Sequence, residues 1–164
     1  LSQQRMQSVG RTALAQKIRH FCAFQERSHS EVRKKLLNLG AKGDTLEEII
    51  VELIADGFLN EERFAKAYAG GKFRMKHWGR IKIERGLQNH GVSARCIATG
   101  MKEIPEDDYL NVVRRLIEQK MSEETEQDLF IRRDKVSRFL IGRGFEPDLV
   151  WEQLKREFGS IPRS

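Results

Sequence analysis

The chain has 164 residues, of which 39% are hydrophobic and 33% charged, and a formal net charge of +6. That length admits one ordinary domain or a short array of units of about 50 residues, which need their neighbours to complete a core. No apolar run approaches the roughly 18 residues of a membrane helix and no secretory leader is visible, so a cytoplasmic protein with an anionic partner is expected.

Taken in order, Leu14, Ile18, Phe21 and Cys22 recur at helical spacing and predict a first helix from Ala13 to about Gln25, behind a flexible tail over residues 1–11. Ser28-x-x-Glu31 reads as a capping box, in which serine oxygen and glutamate carboxylate each satisfy a free backbone N–H of the first turn. It opens a second helix that Gly40 ends. Thr45-x-x-Glu48 reads as a second box, opening a third helix with an apolar face of Leu46, Ile49, Ile50, Leu53 and Ile54 that stops at Gly57. Asn60 suits the N-cap of a fourth, carrying Phe64, Ala65 and Tyr68, which Gly70-Gly71 is expected to weaken or bend before Met75. A fifth is expected from about Gly79 to Asn89, a sixth from Ser93 to about Lys102, and a seventh from about Asp108 to Met121. The acidic stretch Ser122 to Gln127 reads as a loop, followed by an eighth helix through Val136, Phe139 and Leu140 to Gly144. Pro147, suited to a first helical position, opens the ninth, with Val150, Trp151, Leu154 and Phe158.

A five-point motif recurs three times along this order. Its copies are Val32, Leu36, Gly40, Leu46, Ile50; then Ile83, Leu87, Gly91, Ile97, Met101; then Val136, Leu140, Gly144, Val150, Leu154. The glycines stand 51 and 53 residues apart, and each apolar position keeps its offset, so one small helical unit is used three times. Asp56-Gly57-Phe58-Leu59-Asn60 matches Asp107-Asp108-Tyr109-Leu110-Asn111 at the same 51-residue offset. The expected architecture is all-α, three tandem three-helix repeats forming an elongated, curved array: repeats over residues 12–58, 59–105 and 106–159, with a C-terminal tail over 160–164. The motif residues are core. A repeated scaffold without a catalytic cluster points to an extended binding surface.

Chemistry is sparse. Cys22 and Cys96 lie in apolar helical stretches without a C-x-x-C or Cys/His neighbour, as expected of buried free thiols in a reducing compartment. His20, His29, His77 and His90 are scattered, and Gly70-Gly71-Lys72 lacks the other elements of a phosphate loop. No metal, no cofactor and no enzymatic activity is expected.

Charge is more specific. Lys72, Arg74, Lys76, Arg80, Lys82 and Arg85 face the single acid Glu84, with Phe73, His77 and Trp78 interleaved, a composition suited to phosphates or to an acidic protein surface. Arg132, Arg133, Lys135, Arg138 and Arg143 flank the matching helix of the third repeat, and Arg33, Lys34 and Lys35 that of the first. Regular stacking would line these helices into a positive stripe. The plainer alternative is three solvated helix faces, with Trp78 as core packing.

Several of these segments together resemble the RecX family, bacterial regulators of the RecA recombinase. The resemblance is carried by Ser28-x-x-Glu31-Val32-Arg33-x-Lys35-Leu36, by Gly57-Phe58-Leu59-Asn60-Glu61-Glu62-Arg63-Phe64-Ala65, by Gly79-Arg80-x-x-Ile83-x-x-x-Leu87-x-x-x-Gly91-Val92, and by Lys135-Val136-x-Arg138-Phe139-Leu140-x-x-Arg143-Gly144-Phe145. Where members often carry an arginine three residues before the first capping serine, this chain has Gln25. The resemblance implies three tandem three-helix units. It also implies binding to RecA filaments on single-stranded DNA, with restraint of ATP hydrolysis, strand exchange and coprotease activity; weaker binding to double-stranded DNA, a monomer, and no membrane are expected alongside. The alternatives are a general nucleic-acid-binding helical protein that competes for DNA, and an interaction scaffold whose charge serves solubility.

Overall fold

The three Leu-x-x-x-Gly turns are built alike. In the computed structural model, which describes residues 2–159 with side chains from residue 10 on, Gly40, Gly91 and Gly144 have φ of +94°, +73° and +95°. This left-handed conformation ends a helix and suits a residue without Cβ. In each turn the next residue sends its N–H back to the motif leucine's carbonyl: Ala41 to Leu36 at 2.9 Å, Val92 to Leu87 at 3.1 Å, Phe145 to Leu140 at 3.2 Å. Every apolar motif position is buried except Met101, which is half-buried. The repeat is therefore structural as well as sequential.

The described residues form nine helices and no strand: α1 (Ser2–Phe24), α2 (His29–Asn38), α3 (Gly43–Ala55), α4 (Glu61–Lys76), α5 (Arg80–Asn89), α6 (Ala94–Met101), α7 (Glu106–Glu123), α8 (Leu129–Gly142) and α9 (Pro147–Phe158). The protein is all-α, as its patterning requires. The Ser28 capping box is present in full, the Arg63 N–H donates to Asn60 Oδ1 at 2.8 Å, and Pro147 opens α9.

Four local expectations are corrected. Residues 2–11 are helix rather than tail, in a stretch that includes the good helix formers Gln3, Gln4, Arg5 and Met6; the tail expected over 160–164 lies outside the described residues. α3 begins at Gly43 after Lys42, whose side chain makes no capping bond, so Thr45 lies within the first turn. α4 runs unbroken through Gly70-Gly71, held by buried Ala69 and Phe73 on either side, since tertiary packing outweighs the weak propensity of glycine. Finally, Gly57 at φ +77° sits in the turn after α3, whereas Asp108 lies inside α7, so the second 51-residue agreement joins unlike structures.

Contacts divide the chain into two compact units: one runs to Ala67 and includes Leu87–Gly100, the other comprises Tyr68–Gly86 and the chain from Met101 on. α4 and α5 each contribute to both. The first unit buries Ile18, Cys22, Val32, Leu36, Leu46, Ile49, Ile50, Leu53 and Leu59 in one cluster. In it α6 lies close on α4, for a Cβ on Gly100 would stand 2.7 Å from the Ala65 carbonyl oxygen. In the second unit α7, α8 and α9 pack on one another. Phe73, Tyr109 and Phe145 stack in sequence there, with ring centroids 5.8 Å and 5.4 Å apart.

Candidate functional site

Residues 77–79 join α4 to α5 and set the geometry of the best candidate site, which lies wholly within the second unit. His77 takes φ +53°, uncommon for a residue with a Cβ, and turns the chain sharply. Beyond it the Gly79 N–H donates to the Arg143 carbonyl at 2.8 Å and the Ile81 N–H to the Gly144 carbonyl at 3.0 Å. Backbone meets backbone here: a Cβ on Gly79 would lie 2.2 Å from the Gly144 carbonyl carbon, and one on Gly144 would lie 2.3 Å from Lys82 Cβ. Two glycines thus clasp the α4–α5 turn to the α8–α9 turn.

The clasp gathers cations around an aromatic. Trp78 is half-buried, with Lys72 Nζ 4.9 Å and Lys82 Nζ 4.4 Å from its ring centroid, within the range of cation–π attraction. Lys72 also lies 5.4 Å from the Tyr68 ring. Arg143 donates to the Lys76 carbonyl at 3.0 Å and lies 5.1 Å from the Phe139 ring. Arg74, Lys76 and Arg85 are exposed, Arg74 with its guanidinium over Gly70. Ammonium groups held over an aromatic ring are a composition suited to the phosphates and bases of a single strand.

Other basic residues are placed differently. Arg133 is 3% exposed, donates to the Phe158 carbonyl and leaves its Nε without a partner among the described residues. Arg132 donates to the Met121 carbonyl, through Nε at 3.0 Å. Both hold the fold. Arg80 is bound into a network: it pairs with Glu106 and, at 3.2 Å, with Glu146, and its guanidinium lies 3.9 Å from the Tyr109 ring. Burial works against the Arg80 charge, but the Glu106 hydrogen bond and the charges of Glu106 and Glu146 outweigh it and hold the guanidinium above its ordinary range. Lys135 pairs with Glu124 at 3.5 Å and Arg138 with Asp134 at 2.8 Å, both exposed. In the first unit Arg33 forks onto Glu47, which lowers the carboxyl's affinity for its proton; Lys34 is exposed, and Lys35 lies 5.6 Å from the Phe21 ring. Among the described residues no cluster of His, Cys, Asp and Glu is arranged to hold a metal ion.

Residues 60–101 match the second three-helix domain of RecX, and residues 106–154 match the third. Over 131 residues, 79% of this chain, it is 31% identical to "Regulatory protein RecX" of Pelodictyon phaeoclathratiforme, covering 78% of that protein. The chain belongs to the RecX family. It is 30% identical to the RecX of Chlorobium limicola, covering 85% of it, and 30% identical to that of Clostridium perfringens strain 13, of whose length it spans 58%. The crystal structure of RecX from Lactobacillus salivarius shares the fold, with a TM-score of 0.81 at 18% identity over 91% of this chain and 97% of that one.

Sequence reasoning missed the residues that carry this candidate site from behind. Tyr109 is fully buried; its hydroxyl accepts from the Arg80 N–H at 3.1 Å and donates to Glu146. Burial first, then the Glu146 bond, pushes the phenol's pKa well up. A signal existed: Tyr109 heads the stripe Tyr109, Val113, Ile117, Met121, and a tyrosine in a buried stripe needs a partner for its hydroxyl.

Proposed function

We propose that this chain is a cytoplasmic regulator of the RecA recombinase that binds RecA filaments on single-stranded DNA and restrains their ATP hydrolysis, strand exchange and coprotease activity. Membership of the RecX family supports regulation of RecA. The observation that carries the DNA half of the reading is Trp78 between Lys72 and Lys82, with Lys76, Arg85 and Arg143 close in sequence or space. These side chains can engage the strand inside a filament, hindering partner-strand entry and the subunit motions of turnover. Arg80, Arg132 and Arg133 are bonded within the fold, to Glu106 and Glu146, to the Met121 carbonyl and to the Phe158 carbonyl.

The test is the ATPase rate of RecA filaments on single-stranded DNA, titrated with the wild type and with Lys72→Glu/Lys82→Glu, beside the affinity of each for the same DNA without RecA. Inhibition by the wild type below the concentrations that coat bare DNA, and its loss in a variant of unchanged helicity, is the expected result. Inhibition only at saturation of bare DNA would replace filament regulation by simple competition for DNA, and undiminished inhibition by the variant would move the contact away from Trp78.

A further inference from the structure

Among the described residues, a groove in the first unit and a patch in the second expose apolar side chains in surroundings of opposite charge. The first is a solvent-open groove of about 480 Å³ beside α1 and α2, with Phe21, Phe24 and Leu39 as its apolar lining and Lys17, Arg27 and Lys35 as its cations. Phe24 is 76% exposed. Among the described residues the groove has no acidic lining. Arg27 is a fixed wall, 3.8 Å from the Phe21 ring and 3.6 Å from Glu31, while Lys17 is exposed.

The second patch is the start of α8. Leu129, Phe130 and Ile131 are 46%, 63% and 44% exposed, and three consecutive large apolar side chains in water have no part in an amphipathic helix. Glu123, Glu124, Glu126 and Asp128 precede them without an intervening cation. Lys120 meets Glu123 at 3.1 Å, Lys135 meets Glu124 and Glu126 at 3.5 Å and 3.9 Å, and Asp128 caps the helix through the Ile131 N–H, so these four carboxylates outnumber the two ammonium groups that pair with them.

We propose that this chain associates head to tail with a second copy of itself, segment 123–131 of one copy seated in the basic groove of the next. The choice of partner follows from sign. Groove against groove sets lysines against lysines, and patch against patch sets carboxylates against carboxylates; groove against patch alone matches both charge and apolar character. Such a contact joins unlike surfaces, so it extends into open chains unless its rotation happens to close. The contact is small, so association is weak in dilute solution and becomes strong when copies lie side by side on a shared support, which raises their effective concentration. This departs from the monomer expected of the sequence.

Sedimentation velocity over a concentration series tests it, using full chains: a groove variant, Lys17→Glu/Lys35→Glu, and a patch variant, Phe130→Ser/Glu123→Lys, both checked for helicity. The wild type is expected to grow in mass with concentration and each variant alone to stay monomeric. Their equimolar mixture should form a species that stops at two chains, since one intact groove meets one intact patch. A fluorescent peptide of residues 122–135 should bind the patch variant at least tenfold more tightly than the groove variant. A wild type monomeric to its solubility limit, a variant that still associates alone, or a mixture that does not pair would overturn the proposal. If the wild type stays monomeric yet the groove takes up an acidic, apolar peptide of unrelated sequence, self-association is overturned and the groove belongs to another protein's acidic segment.

Discussion

Arg133 and Arg138 have the same chemistry and opposite roles. Arg133 lies in register with Val136, Ser137 and Leu140 on the buried stripe of α8, and its guanidinium reaches the Phe158 carbonyl. Arg133→Ala is expected to cost about 3 kcal/mol or more in urea unfolding, because it empties a buried polar site and strands its partner, whereas Arg138→Ala should stay within about 0.5 kcal/mol. The spacing of Arg133 from Val136 and Leu140 was legible in the sequence as inward-facing; its positive charge masked that reading. Tyr109 offers a second case. Its phenol holds its proton more tightly folded than unfolded, so its contribution is complete below about pH 10, the unfolded value, and is lost as pH rises beyond it. Tyr109→Phe leaves the Arg80 N–H and Glu146 without their partner and should cost about 1–3 kcal/mol at pH 7. It should also flatten the fall in unfolding midpoint as pH rises above about 10.

Among elements, the glycines separate by what surrounds them. Gly79→Ala drives a methyl into the backbone at Gly144 and should lower stability by about 1–3 kcal/mol, loosening the clasp and with it the posture of Trp78. Gly71, inside α4, has nothing within 4 Å of a Cβ, so Gly71→Ala should instead stabilise by about 0.5–1 kcal/mol. Paired melting curves of the two variants check both signs. Helix ends were well read at Ser28, Asn60 and Pro147, because a cap's partners lie within one turn, whereas the same local pattern at Thr45 misplaced the start of α3. The close approach at Gly79 was not readable, since its partner stands 65 residues away and nothing in the pattern names it. The uninterrupted α4 was misread for the same reason: only the packing of Ala69 and Phe73 decides whether Gly70-Gly71 breaks a helix.

For the whole molecule, the triple repeat told the helix count and the core, and charge told the class of partner. It did not tell which cations are available, because a basic run scores alike whether its members face water, a carbonyl or a carboxylate. Binding to single-stranded DNA should therefore depend on a subset. Each phosphate contact removed lowers the slope of log affinity against log salt by about 0.7, so Lys72→Gln/Lys82→Gln should flatten it by about 1.4, while Arg138→Gln, a cation already paired with Asp134, should leave it nearly unchanged. The three equivalent turns carry one more implication, for how the repeats diverge over evolutionary time. Gly40 and Gly91 have open space where a Cβ would stand, but Gly144 has Lys82 against it. Asparagine, which tolerates left-handed backbone, is admissible at the first two and barred from the third, so in a saturation library scored for folding, asparagine should survive at 40 and 91 and vanish at 144. Copies that began alike have unequal freedom to drift, and the least free is the one that was drafted into holding the site together.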